Sequence, residues 1–406
     1  QELLLPLRGV LAASIETKTL RHVDECLGRI ASGLSANTHI DTHDFLVLCY
    51  TLIAKGEKAL AQPLASAPYL TQNAHKFVEL GLELLTTALR RSRFDVHNEE
   101  TVARLVPLVK AVGETLYATS GPVIERGLRA AAALARCPLP NLAEALPVMQ
   151  KQMLVLLRSA GGLHSAMAQA ALRALSIVLR EGRAPPPPTR QLTELLTLVE
   201  PELETPVAQA SVFALLRAIV SRAFVVPEIY DIMDRVAELL VVSHDAQVRD
   251  ICRSLYLQFL LDYPQGQGRL QSQMQFLAKH LSYEKQGGRQ SVLELVGAVL
   301  SKFSTEVVSQ FSELFFVALV MLLANEESTA CRQQAAQVLR TLLGAVHAPQ
   351  RATLMQMTRA WATAQGSAQA QQLASVALRV YELAAERDQS SVAEDACVAI
   401  VQALQQ

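Results

Sequence analysis

The stretch Asp245-Ala246-Gln247-Val248-Arg249-Asp250-Ile251-Cys252-Arg253-Ser254-Leu255-Tyr256-Leu257-Gln258-Phe259-Leu260-Leu261-Asp262-Tyr263-Pro264 decides the fold. Apolar or weakly polar residues fall at 248, 251, 252, 255, 256, 259, 260 and 263, while 249, 250, 253, 254, 258 and 262 are polar. That is the i, i+3, i+4, i+7 series of one helix face. The Asp245 carboxylate can accept from the first free backbone N–H groups, so it is the expected cap. Pro264 has no N–H to donate and disfavours helix in the residue before it, so the helix stops there. Leu257 and Leu261 widen the stripe, which predicts contact on more than one side.

The same frame recurs outward from this helix. Asp245, Val248, Cys252, Leu255 and Phe259 align with Thr205, Ala208, Val212, Leu215 and Ile219, and before those with Ser165, Ala168, Leu172, Leu175 and Leu179. Forward, the frame reappears at Ser328, Cys331, Ala335, Val338 and Leu342, about two periods on, and then at Ser367, Ala370, Ala374, Ala377 and Val380. A second amphipathic run precedes each frame, as Pro227 to Val242 precedes Asp245. Paired helices at a period near 40 residues mark HEAT or armadillo repeats. One pair cannot bury its own apolar stripe, so neighbours must stack. The predicted class is therefore all-α, an α-solenoid of HEAT/armadillo-like pairs.

Toward the N-terminus, amphipathic helices are expected at about 2–14, 18–34, 41–54, 72–91, 98–119, 121–136, 140–158 and 163–182. No stretch shows period-2 alternation or an Asn-Gly or Asp-Gly hairpin signal. Gly56 to Ala67 reads as a weakly patterned connection, and Pro185 to Pro188 as a stiff polyproline spacer or an enlarged loop. The expected organisation is an N-terminal array over 1–183, the spacer at 184–188, and a C-terminal array over 189–406. Together they would form one continuous section of a longer protein, since the chain starts at Gln1 rather than Met.

Half of the 406 residues are apolar but only 5% are aromatic, so the core is mostly Leu, Ala and Val, which suits stacked helices. A net charge of -1 argues against a bulk pull toward nucleic acid or anionic membrane, though a local basic stripe remains compatible with it. The six cysteines (26, 49, 137, 252, 331 and 397) are far apart, with no C-x-x-C pair. That spacing suits reduced, buried thiols. No signal peptide is evident, and the longest apolar run, Leu314 to Ala324, suits a core helix rather than a membrane span.

Enzyme motifs are absent: there is no phosphate-binding G-x-x-x-x-G-K-[ST] loop, no G-x-S-x-G and no H-E-x-x-H. Gly266-Gln267-Gly268 follows a helix rather than a strand, so it reads as a turn. His39 and His43 flank Asp41 at the start of a helix, with no Cys or third His nearby. No catalytic, cofactor-binding or metal residues are therefore expected, nor a small-molecule substrate. Arg249, Arg289 and Arg332 recur near the starts of second helices. They fit either a ladder of salt bridges and caps, with Asp245 or Asp250, or a row of phosphate contacts. Arg253, Lys279, Lys285 and the Arg90-Arg91-Ser92-Arg93 cluster are further candidate RNA or partner contacts; the alternative for each is a solvated charged surface. Trp361, the only tryptophan, lies near Met355 and Met357 and is expected in the core.

The central residues also resemble a known family. Val248 to Arg253, Phe259 to Pro264, Gly266, Gln275-Phe276-Leu277, Leu281-Ser282-Tyr283-Glu284 and Gly288 to Glu294 are similar to a segment of the "down-regulated in metastasis" family. That family is the very large HEAT-repeat component of the small-subunit processome. A weaker echo lies at Ser328 to Arg332 and Leu342-Leu343-Gly344, so the resemblance covers roughly 245–345, with only the repeat style matching on either side. It implies a nucleolar scaffold associated with other processome proteins, the U3 small nucleolar RNA machinery and pre-rRNA, without enzymatic residues. Arg249, Arg253 and Arg289 match the segment, but no role transfers to them. Rival readings are an importin-like transport solenoid, expected to show acidic inner helices, and a regulatory scaffold subunit binding proteins only.

Overall fold

The computed structural model describes residues 17–36, 40–61, 74–182, 186–363 and 368–385. The helix expected at 2–14, Ser367 at the head of the last frame, His39 and Cys397 lie outside these residues, while Ala377 and Val380 of that frame are described and buried. Among the described residues every regular element is helical. The chain divides into two compact units, Gln1–Glu228 and Ile229–Gln406.

The first unit holds α1 (Thr17–Ala36), α2 (Thr42–Ala61), α3 (Ala74–Arg90), α4 (Glu99–Thr115), α5 (Gly121–Leu134), α6 (Leu142–Ser159), α7 (Ala166–Glu181), α8 (Thr189–Val199) and α9 (Pro206–Ser221). Second members of successive pairs stack in order, α3 on α5, α5 on α7 and α7 on α9, while α4 packs on α6. Of the spacer expected at 184–188, residues 186–188 lead into α8 inside this unit, and 184 and 185 lie outside the described residues. One expectation fails here: α2 continues through Gly56 to Ala61 instead of giving way to a connection. A single glycine costs about 1 kcal/mol in a helix, and Ala54, Lys55, Glu57, Lys58 and Ala59 around it are all strong helix formers.

The boundary falls at the start of α10 (Pro227–Val242). The second unit continues with α11 (Ala246–Asp262), α12 (Gly266–His280), α13 (Gln286–Lys302), α14 (Thr305–Gln310), α15 (Ser312–Asn325), α16 (Thr329–Ala345), α17 (Ala348–Ala362) and α18 (Ala368–Ala385). Again the rows are sequential, α11 on α13, α13 on α16 and α16 on α18, with α12 on α15. Each unit is thus built in the α-solenoid manner, with neighbours covering one another's apolar stripes. The pair α12–α13 fills the gap between the Asp245 and Ser328 frames, and the break between α14 and α15 lengthens the step that follows.

The frame positions are core positions. Val248, Cys252, Leu255 and Phe259 are buried, as are Ala208, Val212, Leu215 and Ile219, and Cys331, Ala335, Val338 and Leu342. Burying such aliphatic side chains stabilises by about 1.5–3 kcal/mol each. The widened stripe on α11 ends early: Leu257 is half-buried and Leu261 is 40% exposed. Caps form where expected at Ser165, Asp245 and Ser328, each accepting from a backbone N–H of the first turn at 3.1, 2.7 and 3.4 Å. Thr205 makes no such bond. Pro206 follows it at the first helical position, where its fixed φ already favours the helix start.

Four aromatic residues cluster around the central stretch. Tyr230, Tyr256, Phe259 and Tyr263 form edge-on and tilted contacts with centroids 5.0–6.1 Å apart. The Tyr230 hydroxyl donates to the Pro264 carbonyl at 3.0 Å, and Gly266 enters α12 at φ +59°. Buried Tyr256 donates to Gln273, whose amide donates to Asp234 at 2.8 Å, joining α11, α12 and α10. Trp361 stacks on Phe316 at 5.7 Å beside buried Ala362, Ala377 and Tyr381, as expected of a core residue. Cys49, Cys137, Cys252 and Cys331 are buried thiols in no disulfide, while Cys26 is a thiol that is exposed. Among the described residues no helix is long and apolar enough to cross a membrane.

Candidate functional site

One device recurs at the turn within four successive pairs, α6–α7 to α12–α13. Four residues after the cap, a side-chain donor reaches back to the carbonyl six residues before it. Gln169 donates to Leu163 at 2.6 Å, Gln209 to Leu203 at 2.8 Å, Arg249 to Ser243 at 2.8 Å and Arg289 to Tyr283 at 2.9 Å. These carbonyls sit where the chain leaves one helix for the next and have no intrahelical partner. Arg249 and Arg289 each take a second one, His244 at 3.1 Å and Glu284 at 2.9 Å.

Three of these residues also touch the following pair. Gln169 accepts from Ser211 at 2.5 Å. The Arg249 guanidinium lies against Gly287, where a Cβ would come within 3.0 Å of it. Arg289 forks onto Glu326 at 2.7 and 2.8 Å. Burial pushes the Glu326 carboxyl up, but hydrogen bonds from Arg289 and the Ser328 amide outweigh it and hold the group below the ordinary 4.5. The hydrogen bond to Glu326 correspondingly raises Arg289. Arg332 holds the equivalent place on α16 but is exposed, with no side-chain hydrogen bond or ion pair among the described residues.

The other basic candidates divide similarly. Arg253 bridges Asp250 at 2.5 Å and Glu294, on α13, at 2.6 Å. Lys279 and Lys285 are exposed, with no side-chain partner among the described residues. In the 90–93 cluster, Arg91 donates to the Ser32 carbonyl and hydroxyl, both at 2.9 Å. Arg93 donates to the Leu34 and Ile40 carbonyls and lies 4.0 Å above the Phe45 ring. Arg90 is exposed. Among the described residues no group of three His, Cys, Asp or Glu side chains could hold a metal.

A feature missed in the sequence lies in the first unit. A groove of about 1020 Å³ crosses α3, α5 and α7. Its apolar lining includes Leu89, Leu128, Ala132, Ala170 and Ile177. Arg90, Arg93, Arg129, Arg136 and Arg173 also line it, against one acid, Asp95. Arg136 pairs with Glu181 at 3.8 Å, and Arg173 donates to Ser211 at 3.1 Å. Arg90 and Arg129 hold no ion pair among the described residues. The available signal was registry: Arg129 and Arg173 lie near mid-helix of consecutive second members, and Arg90 and Arg136 near their ends.

Comparison with known proteins finds relatives that share one name. Residues 1–53 match the U3 small nucleolar RNA-associated protein 20 domain. The chain is 30% identical over 350 residues, 83% of its length, to U3 small nucleolar RNA-associated protein 20 of Schizosaccharomyces pombe. It is 28% identical over 363 residues, 84% of its length, to the protein of the same name from Saccharomyces cerevisiae. In each case it spans 14% of the relative's length. Among solved structures, a crystal structure of an engineered protein from the Northeast Structural Genomics Consortium covers 98% of both chains at 16% identity and a TM-score of 0.47, a likeness too loose to carry weight. The resemblance read from the sequence is borne out by the two yeast relatives: the family to which this chain is similar is that of U3 small nucleolar RNA-associated protein 20.

Proposed function

We propose that this chain is one section of a non-enzymatic, nucleolar scaffold of the small-subunit processome, supporting pre-rRNA processing toward the small-subunit rRNA. The observation that carries the reading is the 30% identity over 350 residues to a protein named for its association with U3 small nucleolar RNA. Physically, the repeated turn clamp and the contacts between neighbouring pairs within each unit make stiff supports whose polar surfaces remain free for partners. Those partners are other processome proteins, with pre-rRNA and small nucleolar RNA reaching this section through exposed Lys279, Lys285 and Arg332. Arg249, Arg253 and Arg289 act in this reading as internal braces. The proline run serves as an enlarged loop, a role supported by α7 and α8 lying in the same compact unit.

The test is crosslinking in cells of the full-length protein, followed by sequencing of the attached RNA. Pre-ribosomal RNA and its guide RNA are expected to dominate. A diffuse messenger profile, or no RNA with tight binary protein binding, would overturn the reading in favour of an importin-like carrier or a regulatory scaffold subunit.

A further inference from the structure

The groove across α3, α5 and α7 has two properties that together define an occupant. Its floor is aliphatic, with half-buried Leu89 and Ile177 and exposed Val207 open to a ligand and Leu128, Ala132 and Ala170 buried. Its rim is cationic, five arginines to one aspartate, although the whole chain carries a net charge of -1. Cations concentrated around an apolar strip favour an anionic partner that also has apolar side chains to bury.

We infer that this groove is a docking site for an extended peptide segment in which acidic and aliphatic residues alternate. Alternation follows from the geometry of an extended chain, whose successive side chains point to opposite sides. Aliphatic residues enter the floor, and carboxylates meet Arg90 and Arg129, the two rim arginines with neither a side-chain hydrogen bond nor an ion pair among the described residues. Three helices side by side span roughly 20 Å between outer axes. About six extended residues cover that distance. A single RNA strand is the less suitable occupant, because such strands bind on exposed aromatic platforms. The one ring at this groove, Phe94, is itself buried. The inference does not depend on which particle the chain serves.

The probe is a phage-displayed library of random peptides of about twelve residues, twice the expected footprint, panned on the whole chain. Enriched sequences are expected to alternate Asp or Glu with Leu, Ile or Val. Synthesised as free peptides, they should bind the Arg90→Glu/Arg129→Glu variant at least about tenfold more weakly. Binding to a Lys279→Glu/Lys285→Glu control should be unchanged, and circular dichroism should be the same for all three proteins. Enrichment without acidic residues, equal affinity for the rim variant, or no enrichment at all would overturn the proposal. So would an oligouridine strand that needs the same arginines and displaces every selected peptide.

Discussion

Arg289 holds both carboxylate oxygens of Glu326 from the neighbouring pair, and the same guanidinium closes its own turn on the carbonyls of Tyr283 and Glu284. The Glu326 side chain is only 2% exposed, so losing its partner would strand a buried charge. Arg289→Met is therefore expected to cost about 3 kcal/mol in urea unfolding. The carboxyl is held below 4.5 in the fold. Its contribution is thus complete above the unfolded value and disappears as pH falls through the lower folded one. Glu326→Gln should flatten the acid limb of stability against pH in that window; an unchanged acid limb would reject the assignment.

The turn clamp needs a donor, not a charge. Gln209→Leu leaves the carbonyl of buried Leu203 without its side-chain partner and should cost about 1 kcal/mol. Gln209→Arg should recover most of that loss, since arginine does the same work at 249 and 289. Chemical denaturation of the three proteins checks this, and a leucine variant as stable as the parent would count against the clamp.

Adjacent glycines on α13 should respond differently to alanine. A Cβ on Gly288 would sit 2.5 Å from the Val241 carbonyl oxygen and from the Tyr283 ring, so backbone would have to move. Overpacking of this kind costs about 1–3 kcal/mol. A Cβ on Gly287 meets the far end of the Arg249 side chain, which can swing away. Thermal melts should show the larger loss for Gly288→Ala; the reverse order would contradict this packing.

Thiol reactivity offers a separate check on the core. Burial pushes the Cys252 thiol up to about 12, and Cys49 is raised by burial as well. Cys26 is exposed. Iodoacetamide at neutral pH should label Cys26 quickly and reach Cys49 and Cys252 only on unfolding. Mass spectrometry of timed samples would reveal any early modification of Cys252.

The helical frame was legible because one signal, the apolar period, is carried by residues that are all buried for the same reason. Val248, Cys252, Leu255 and Phe259 could be located from spacing alone, and so could their counterparts around 208 and 331. The edge of the stripe could not. Leu261 looks like core by type, yet its side is left open by the neighbouring helices. The arginine register at 249 and 289 was visible from its charge. Gln169 and Gln209 occupy the same register but passed unnoticed, because an amide leaves no mark in a search for charged residues. The basic groove escaped for a different reason. Arg90, Arg129 and Arg173 come from three helices, and only stacking brings them to one strip.

Exchanging glutamine for arginine in the turn brackets has a further result. Each exchange keeps the mechanical joint while adding one positive charge at a fixed place along the row. The electrical character of such a support can therefore be retuned rung by rung, toward acidic or basic company, without renegotiating its architecture.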